Sequence, residues 1–270
     1  MIEELFAIEQ VAQGTSPLHR CDARVKILIA FAFIIATVAY PYTTGVYIPC
    51  AVFLAFFAAL WAISRISPKE YLKRLLLVLP FGFFLIVFQI FFTNPHYAEF
   101  HPIVTLPLGI AIYAESVEFA TILAVKFLVC ISFIILLSST TTMQSMLEGA
   151  GRLGLPAEFT LILGMMVRYL FLFGRMYVRV NAALQTRCFD ALDRTLPYRY
   201  RLKMLAYEIG TIFIRSFEQG ERTYTSMLCR GYGKDSHLLI TKKPLKVIEW
   251  AFLAGTFALI IVTSALTWLV

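Results

Sequence analysis

Charge is what this sequence has least of: Asp, Glu, Lys and Arg together make 15% of its 270 residues, against about 25% in ordinary soluble domains. So few charges cannot dress a water-facing surface, and lipid is the expected solvent. Cysteine is sparse too. Cys21, Cys50, Cys130, Cys188 and Cys229 are scattered without a CxxC, which excludes a disulfide framework and a structural zinc site. The histidines are no better placed for a metal. His96 and His101 have only Glu99 near them, His19 and His237 are isolated, and neither set fills a tetrahedral or octahedral shell. Residues 1–10 carry Glu3, Glu4 and Glu9 and no basic stretch before an apolar core, so no cleaved signal peptide is expected. Nucleotide loops are missing as well. Gly149 to Gly154 spells GxGxxG without a strand before it, and Gly231-Tyr232-Gly233-Lys234 lacks the earlier glycine and the adjacent Ser or Thr of a phosphate loop. No cofactor is expected on this chain.

What the sequence does have is long apolar runs, with 59% hydrophobic residues. A membrane span needs about 20 predominantly apolar residues in a helix that satisfies its own backbone. Residues 25–40, 46–63, 75–92, 115–137 and 245–266 qualify. Pro80 and Gly82 interrupt the third, where a kink is expected and not a break. Basic residues precede the first run (Arg20, Arg24, Lys26) and separate the second from the third (Arg65, Lys69, Lys73, Arg74). Residues 138–244 hold 15 of the 24 Lys and Arg, whereas the loops around Tyr42 and Tyr97 have none. The positive-inside rule then puts the N-terminus in the cytoplasm and the C-terminus outside. The net charge of +7 belongs to these loops and faces anionic lipid, and no nucleic-acid partner is expected. Residues 159–174 are also apolar, but they are short, contain Arg168 and precede Arg175, Arg179 and Arg187. They fit a helix lying against the membrane. The expected fold is an all-α membrane protein with about five transmembrane helices and a cytoplasmic coupling domain of long amphipathic helices between spans four and five. It divides into an N-terminal segment (1–24), spans one to four (25–137), the coupling-helix region (138–244) and span five (245–270).

Three helices are expected in the insert. The first starts at Thr140-Thr141-Thr142, whose hydroxyls can cap free amides. Pro156 opens the second, which can run to about Cys188, and the third runs from about Tyr198 to Cys229 and stops at Gly231. Leu202, Leu205, Ala206, Ile209, Ile212, Phe213 and Phe217 form a stripe at helical spacing that must pack on something. Arg201, Lys203, Glu208, Arg215, Glu218, Glu221 and Arg222 form the opposite, solvated side. The two long helices end alike: Arg187-Cys188-Phe189 and Arg230-Gly231-Tyr232 each place an arginine, a small residue and an aromatic at the terminus. C-terminal cations complement a helix dipole, but the repetition favours a pair of contacts to carboxylates on a two-fold partner. Within the fourth run, Lys126 is costly at the bilayer centre; Glu118 and Gln89 are its expected partners, in structural pairing more than in an ion relay. A self-contained carrier would carry polar groups along a central path or internal repeats, and an intramembrane enzyme would carry convergent nucleophiles or paired carboxylates. Neither pattern is present.

Residues 16–28 (SPLHRCDARVKIL), 139–170 and 210–233 (GTIFIRSFEQGERTYTSMLCRGYG) resemble the transmembrane T component of energy-coupling factor ABC transporters, cobalt-type CbiQ. The resemblance implies a non-catalytic subunit of a prokaryotic cell-membrane importer. Its implied partners are two cytoplasmic ATPase subunits that hold ATP and Mg, a substrate-binding membrane subunit and an optional small accessory membrane subunit. In that family Ala-Arg-Gly-type motifs at coupling-helix ends each engage one ATPase. The matching positions are Thr186-Arg187-Cys188, which departs from the pattern on both sides of Arg187, and Cys229-Arg230-Gly231, which departs only before Arg230. Cobalt is the first expected cargo, nickel or a vitamin the next.

Overall fold

A computed structural model describes residues 12, 14, 16–90, 102–105, 111–187, 189, 196–233 and 244–269. Asp22 starts the first helix by accepting the Arg24 amide on its side chain, the usual way a short acidic residue satisfies an open helix start. This helix, α1 (Ala23–Ala39), stops because Tyr40 precedes Pro41 and is held extended. A 3₁₀ turn (Thr44–Val46) leads into α2 (Tyr47–Ser64), which closes on Arg65 in the left-handed region, φ 54°. Proline in first position opens α3 (Pro68–Ile90), so Lys69, Lys73 and Arg74 lie on its first turns and not in a loop. Pro80 does not end the helix. Beyond it come two short antiparallel strands, β1 (Pro102–Thr105) and β2 (Ala111–Tyr113), paired with an irregularity between Pro102 and Val104. The rest is helical: α4 (Ala114–Thr140), α5 (Met143–Arg152), α6 (Ala157–Gln185), α7 (Tyr198–Cys229) and α8 (Val247–Leu269).

Two compact units result. The first contains residues 3–153 and 243–270, the second residues 154–242. The first is built on Val25, Ile29 and Phe33 of α1, Phe53, Phe57 and Leu60 of α2, and Ile122, Val129, Phe133 and Leu136 of α4. Phe33 stacks on Phe133 at 4.4 Å and meets Phe53 edge-on at 5.0 Å. In lipid such contacts hold helices together by close packing and not by exclusion of water. Gly82 allows α3 to lie on α4, because a side chain there would overlap the Phe127 ring at 2.0 Å. Tyr71 OH and Ser132 Oγ lie 2.9 Å apart, and Arg74 donates to Ser139 Oγ at 2.7 Å. The second unit consists of α6 and α7, linked by the Tyr169 and Thr223 hydroxyls.

Among the described residues five helices are long and apolar enough to cross a membrane: α2, α3, α4, α6 and α8. The sequence reading has the same number but counts α1 in place of α6. At 17 residues, α1 rises only about 26 Å, near the lower limit for a span, whereas α6 has 29 residues. A second difference concerns α5, which the sequence reading groups with the long helices of the insert. It belongs to the first unit, because Gly149 lets its backbone approach α1 until an added Cβ would lie 3.0 Å from Ala23 Cβ and 3.2 Å from the Arg24 amide.

Candidate functional site

The two long helices finish with the same hydrogen bond. At the end of α6 the Phe189 amide donates to the Leu184 carbonyl at 3.1 Å; at the end of α7 the Tyr232 amide donates to the Met227 carbonyl at 3.0 Å. In each case the donor lies two residues beyond the arginine and the acceptor three before it, so Arg187 and Arg230 hold equivalent positions in a Schellman-type close. At Arg230 the motif is complete, with the Gly231 amide bonded to the Leu228 carbonyl at 2.9 Å and Gly231 at φ 79°, a conformation that suits glycine. Thr186 caps its own turn by donating to the Ala183 carbonyl at 2.8 Å. Cys188 lies outside the described residues. Arg187, Arg230, Cys229 and Gly231 are all exposed. Along α7 before Arg230, Glu218, Glu221, Arg222, Thr225, Ser226 and Cys229 share one exposed face that carries both signs of charge.

The flank of α7 departs from the sequence reading. Ile209, Phe213 and Phe217, expected to pack, are 67%, 70% and 63% exposed, while Glu208, expected to be solvated, is buried at 5%. Glu208 Oε1 has no hydrogen-bond partner among the described residues, and burial raises its carboxyl above the usual glutamate range. Among the described residues nothing covers Leu202, Ile209, Phe213 or Phe217, while Leu205 and Ile212 of the stripe are half-buried. Lys126 meets partners other than those expected. Its Nζ donates to the Tyr40 carbonyl at 2.5 Å and lies 4.0 Å from the centre of the Tyr42 ring, so the α1–α2 connection receives it, not Glu118 or Gln89. A backbone carbonyl and an aromatic face offset its burial.

A polar cluster that the sequence reading missed lies at the start of α1. Asp22 Oδ2 is 3.0 Å from Arg24 Nη2 and 3.6 Å from Arg152 Nη1 of α5. The Asp22 amide donates to Glu249 Oε1 at 2.9 Å, and the Lys246 amide donates to Glu249 Oε2, also at 2.9 Å. Lys26, 7% exposed, donates to the carbonyls of His19 (3.2 Å) and Thr140 (2.9 Å). Asp22, Lys26, Arg152, Lys246 and Glu249 border a cleft of about 420 Å³. Burial alone would raise the Asp22 carboxyl, but hydrogen bonds from Arg24 and the charges of Arg24 and Arg152 hold it below the usual carboxylate range. Burial, and next the charge of Glu249, push the Cys21 thiol up, so Cys21 is poorly suited to be a nucleophile. The signals were an acidic cap opening one apolar helix and a lone Glu249 in the first turn of another, 227 residues apart.

The apparent nucleotide fingerprint is a helix end: Gly149 to Arg152 belong to α5 and Gly154 turns at φ 121°. His96, His101 and Glu99 lie outside the described residues. Among the described residues no cluster of His, Cys, Asp or Glu could hold a metal.

The family profile of CbiQ, described as cobalt transport protein, matches residues 14–241. An uncharacterized protein of Methanocaldococcus jannaschii is 25% identical over 98% of this chain and 87% of its own length. The energy-coupling factor transporter transmembrane protein EcfT of Exiguobacterium sibiricum is 27% identical, covering 83% of this chain and 84% of its own. The protein of the same name from Bacillus selenitireducens is 28% identical, covering 83% of each. The match takes in the α1 cluster up to Arg152 and both arginine-tipped helices, and the chain belongs to the CbiQ cobalt transport protein family.

Proposed function

We propose that this chain is the energy-coupling membrane scaffold of an ATP-driven importer. The chain is a multi-pass membrane protein and a transmembrane component of the energy-coupling factor type. It docks two ATPase subunits through Arg187 and Arg230 and passes their ATP-driven motion to a substrate-binding membrane subunit. One observation carries the reading: two long helices end in the same backbone bond with an exposed arginine at the same place in each. A two-fold ATPase pair would present the same carboxylate-bearing surface twice, and a guanidinium suits such contacts better than an ammonium. ATP and Mg belong to those partners. Co(II) is the proposed cargo because the family is named for cobalt transport; Ni(II) and vitamins are the alternatives that the same assay separates.

The test is co-purification followed by uptake in liposomes. Wild type should bring down ATPase subunits, and Arg187→Ala or Arg230→Ala should cut the ATPase recovered by about tenfold, the loss of a charge-assisted contact worth roughly 1.5–3 kcal/mol, without lowering the amount of chain in the membrane. Normal ATPase recovery and normal coupled uptake in the double variant would refute the docking role.

A further inference from the structure

The chain passes between its two units at two places only after residue 3: it leaves the first unit past Leu153 and returns at Lys243. Both passages adjoin one cluster. Arg152, the last residue of α5, is 3.6 Å from the Asp22 carboxylate, and the Lys246 amide, just after the return, is bonded to the Glu249 carboxylate that also takes the Asp22 amide. Asp22 is thus joined by its side chain to the outgoing strand of chain and, through Glu249, to the incoming one. It also caps α1, whose Phe33 and Val25 sit in the core of the first unit. Gly149 holds α5 against α1 at the same point.

We infer that Asp22, Arg152 and Glu249 form the tie-point through which motion of the α6–α7 unit enters the membrane helices, with Asp22 as its hub. The inference rests on the coupling role proposed above and assigns positioning residues to it. Motion applied along either covalent connection meets a bonded carboxylate within a few residues and is delivered to the start of α1 or α8. Without the tie, α5 and the residue 244–246 segment would yield, and the work done by the ATPases would be lost in the connections.

The experiment uses the complete transporter, purified with its ATPases and substrate subunit and placed in liposomes, with Co(II) and Ni(II) as transport probes. ATP hydrolysis and ion uptake are measured together. Arg152→Ala and Glu249→Ala should keep ATPase binding and hydrolysis within about twofold of wild type, while ions moved per ATP fall at least tenfold. Arg152→Lys, which restores a cation facing Asp22, should recover most of that ratio; a role confined to folding would lower hydrolysis, uptake and the amount of assembled complex in parallel. An unchanged uptake-to-hydrolysis ratio in Arg152→Ala and Glu249→Ala overturns the tie-point and leaves the docking role standing, as does a parallel loss in both variants. A wild-type complex that binds no ATPase overturns the docking role and the tie-point with it.

Discussion

Glu208 has the most consequential single-residue environment outside the membrane helices. Burial of a carboxylate that is 5% exposed with an unpartnered oxygen disfavours its charged form and raises its carboxyl. The folded state therefore holds a proton that the unfolded state releases at its ordinary value near 4.3, and stability falls as pH rises from there to the elevated folded value, then stays low. Glu208→Gln removes the charge and keeps the volume. In the full chain at pH 7 it should raise the thermal midpoint by a few degrees, on the order of 1 kcal/mol, and the gain should vanish as pH is lowered toward 4. Circular dichroism melts at the two pH values check this; a pH-independent difference would mean that charge is not what Glu208 contributes. Nothing in the sequence marks Glu208 as buried, because it shares its helix with Arg201, Lys203 and Glu218 in a repeating charged pattern. Lys126 was visible as an anomaly, but its partner is a backbone carbonyl at a helix end, and side-chain inventories do not reveal those.

Helix existence was legible from apolar runs, from Pro156 and Pro197 ahead of helix starts, and from Gly154 and Gly231 after helix ends, to within a few residues except at the start of α3, which begins at Pro68 and not at Leu75. What each helix packs against was not. For α5 the deciding residue is Gly149, which reads as part of a Gly-rich stop, yet is the contact surface against Ala23 and Arg24. Gly164, in the middle of α6, has open space around it. The two glycines should therefore respond oppositely to a side chain. Gly149→Val should cost roughly 1–3 kcal/mol through overpacking, whereas Gly164→Ala should be neutral or stabilise by up to about 1 kcal/mol through helix propensity. Thermal unfolding of the two variants in detergent measures the contrast, and a tolerated valine at 149 would show that α5 is free to leave α1.

For the molecule as a whole, the cluster around Asp22 bears on topology. Residues 22, 152 and 246–249 meet at one end of the first unit, so the chain between each pair of them crosses the membrane an even number of times. Between residues 22 and 152, α1 pairs with α2 and α3 with α4, and α1 crosses together with α2 despite its length. Between residues 152 and 246, α6 is the only described helix apolar enough to cross, and a single crossing would break the parity. The expectation that follows is that α6 does not cross, that the basic loops lie in the cytoplasm and that α8 carries the C-terminus across. Cys229, exposed at the tip of α7, reports the side directly. In a variant with Cys21, Cys50, Cys130 and Cys188 replaced by Ser or Ala, expressed without ATPases, a membrane-impermeant maleimide should label Cys229 in inside-out vesicles at least tenfold faster than in right-side-out vesicles. Labelling from outside would place α7 across the membrane from where ATPase subunits could reach Arg230, and would require the α1 cluster to be opened to let α6 through.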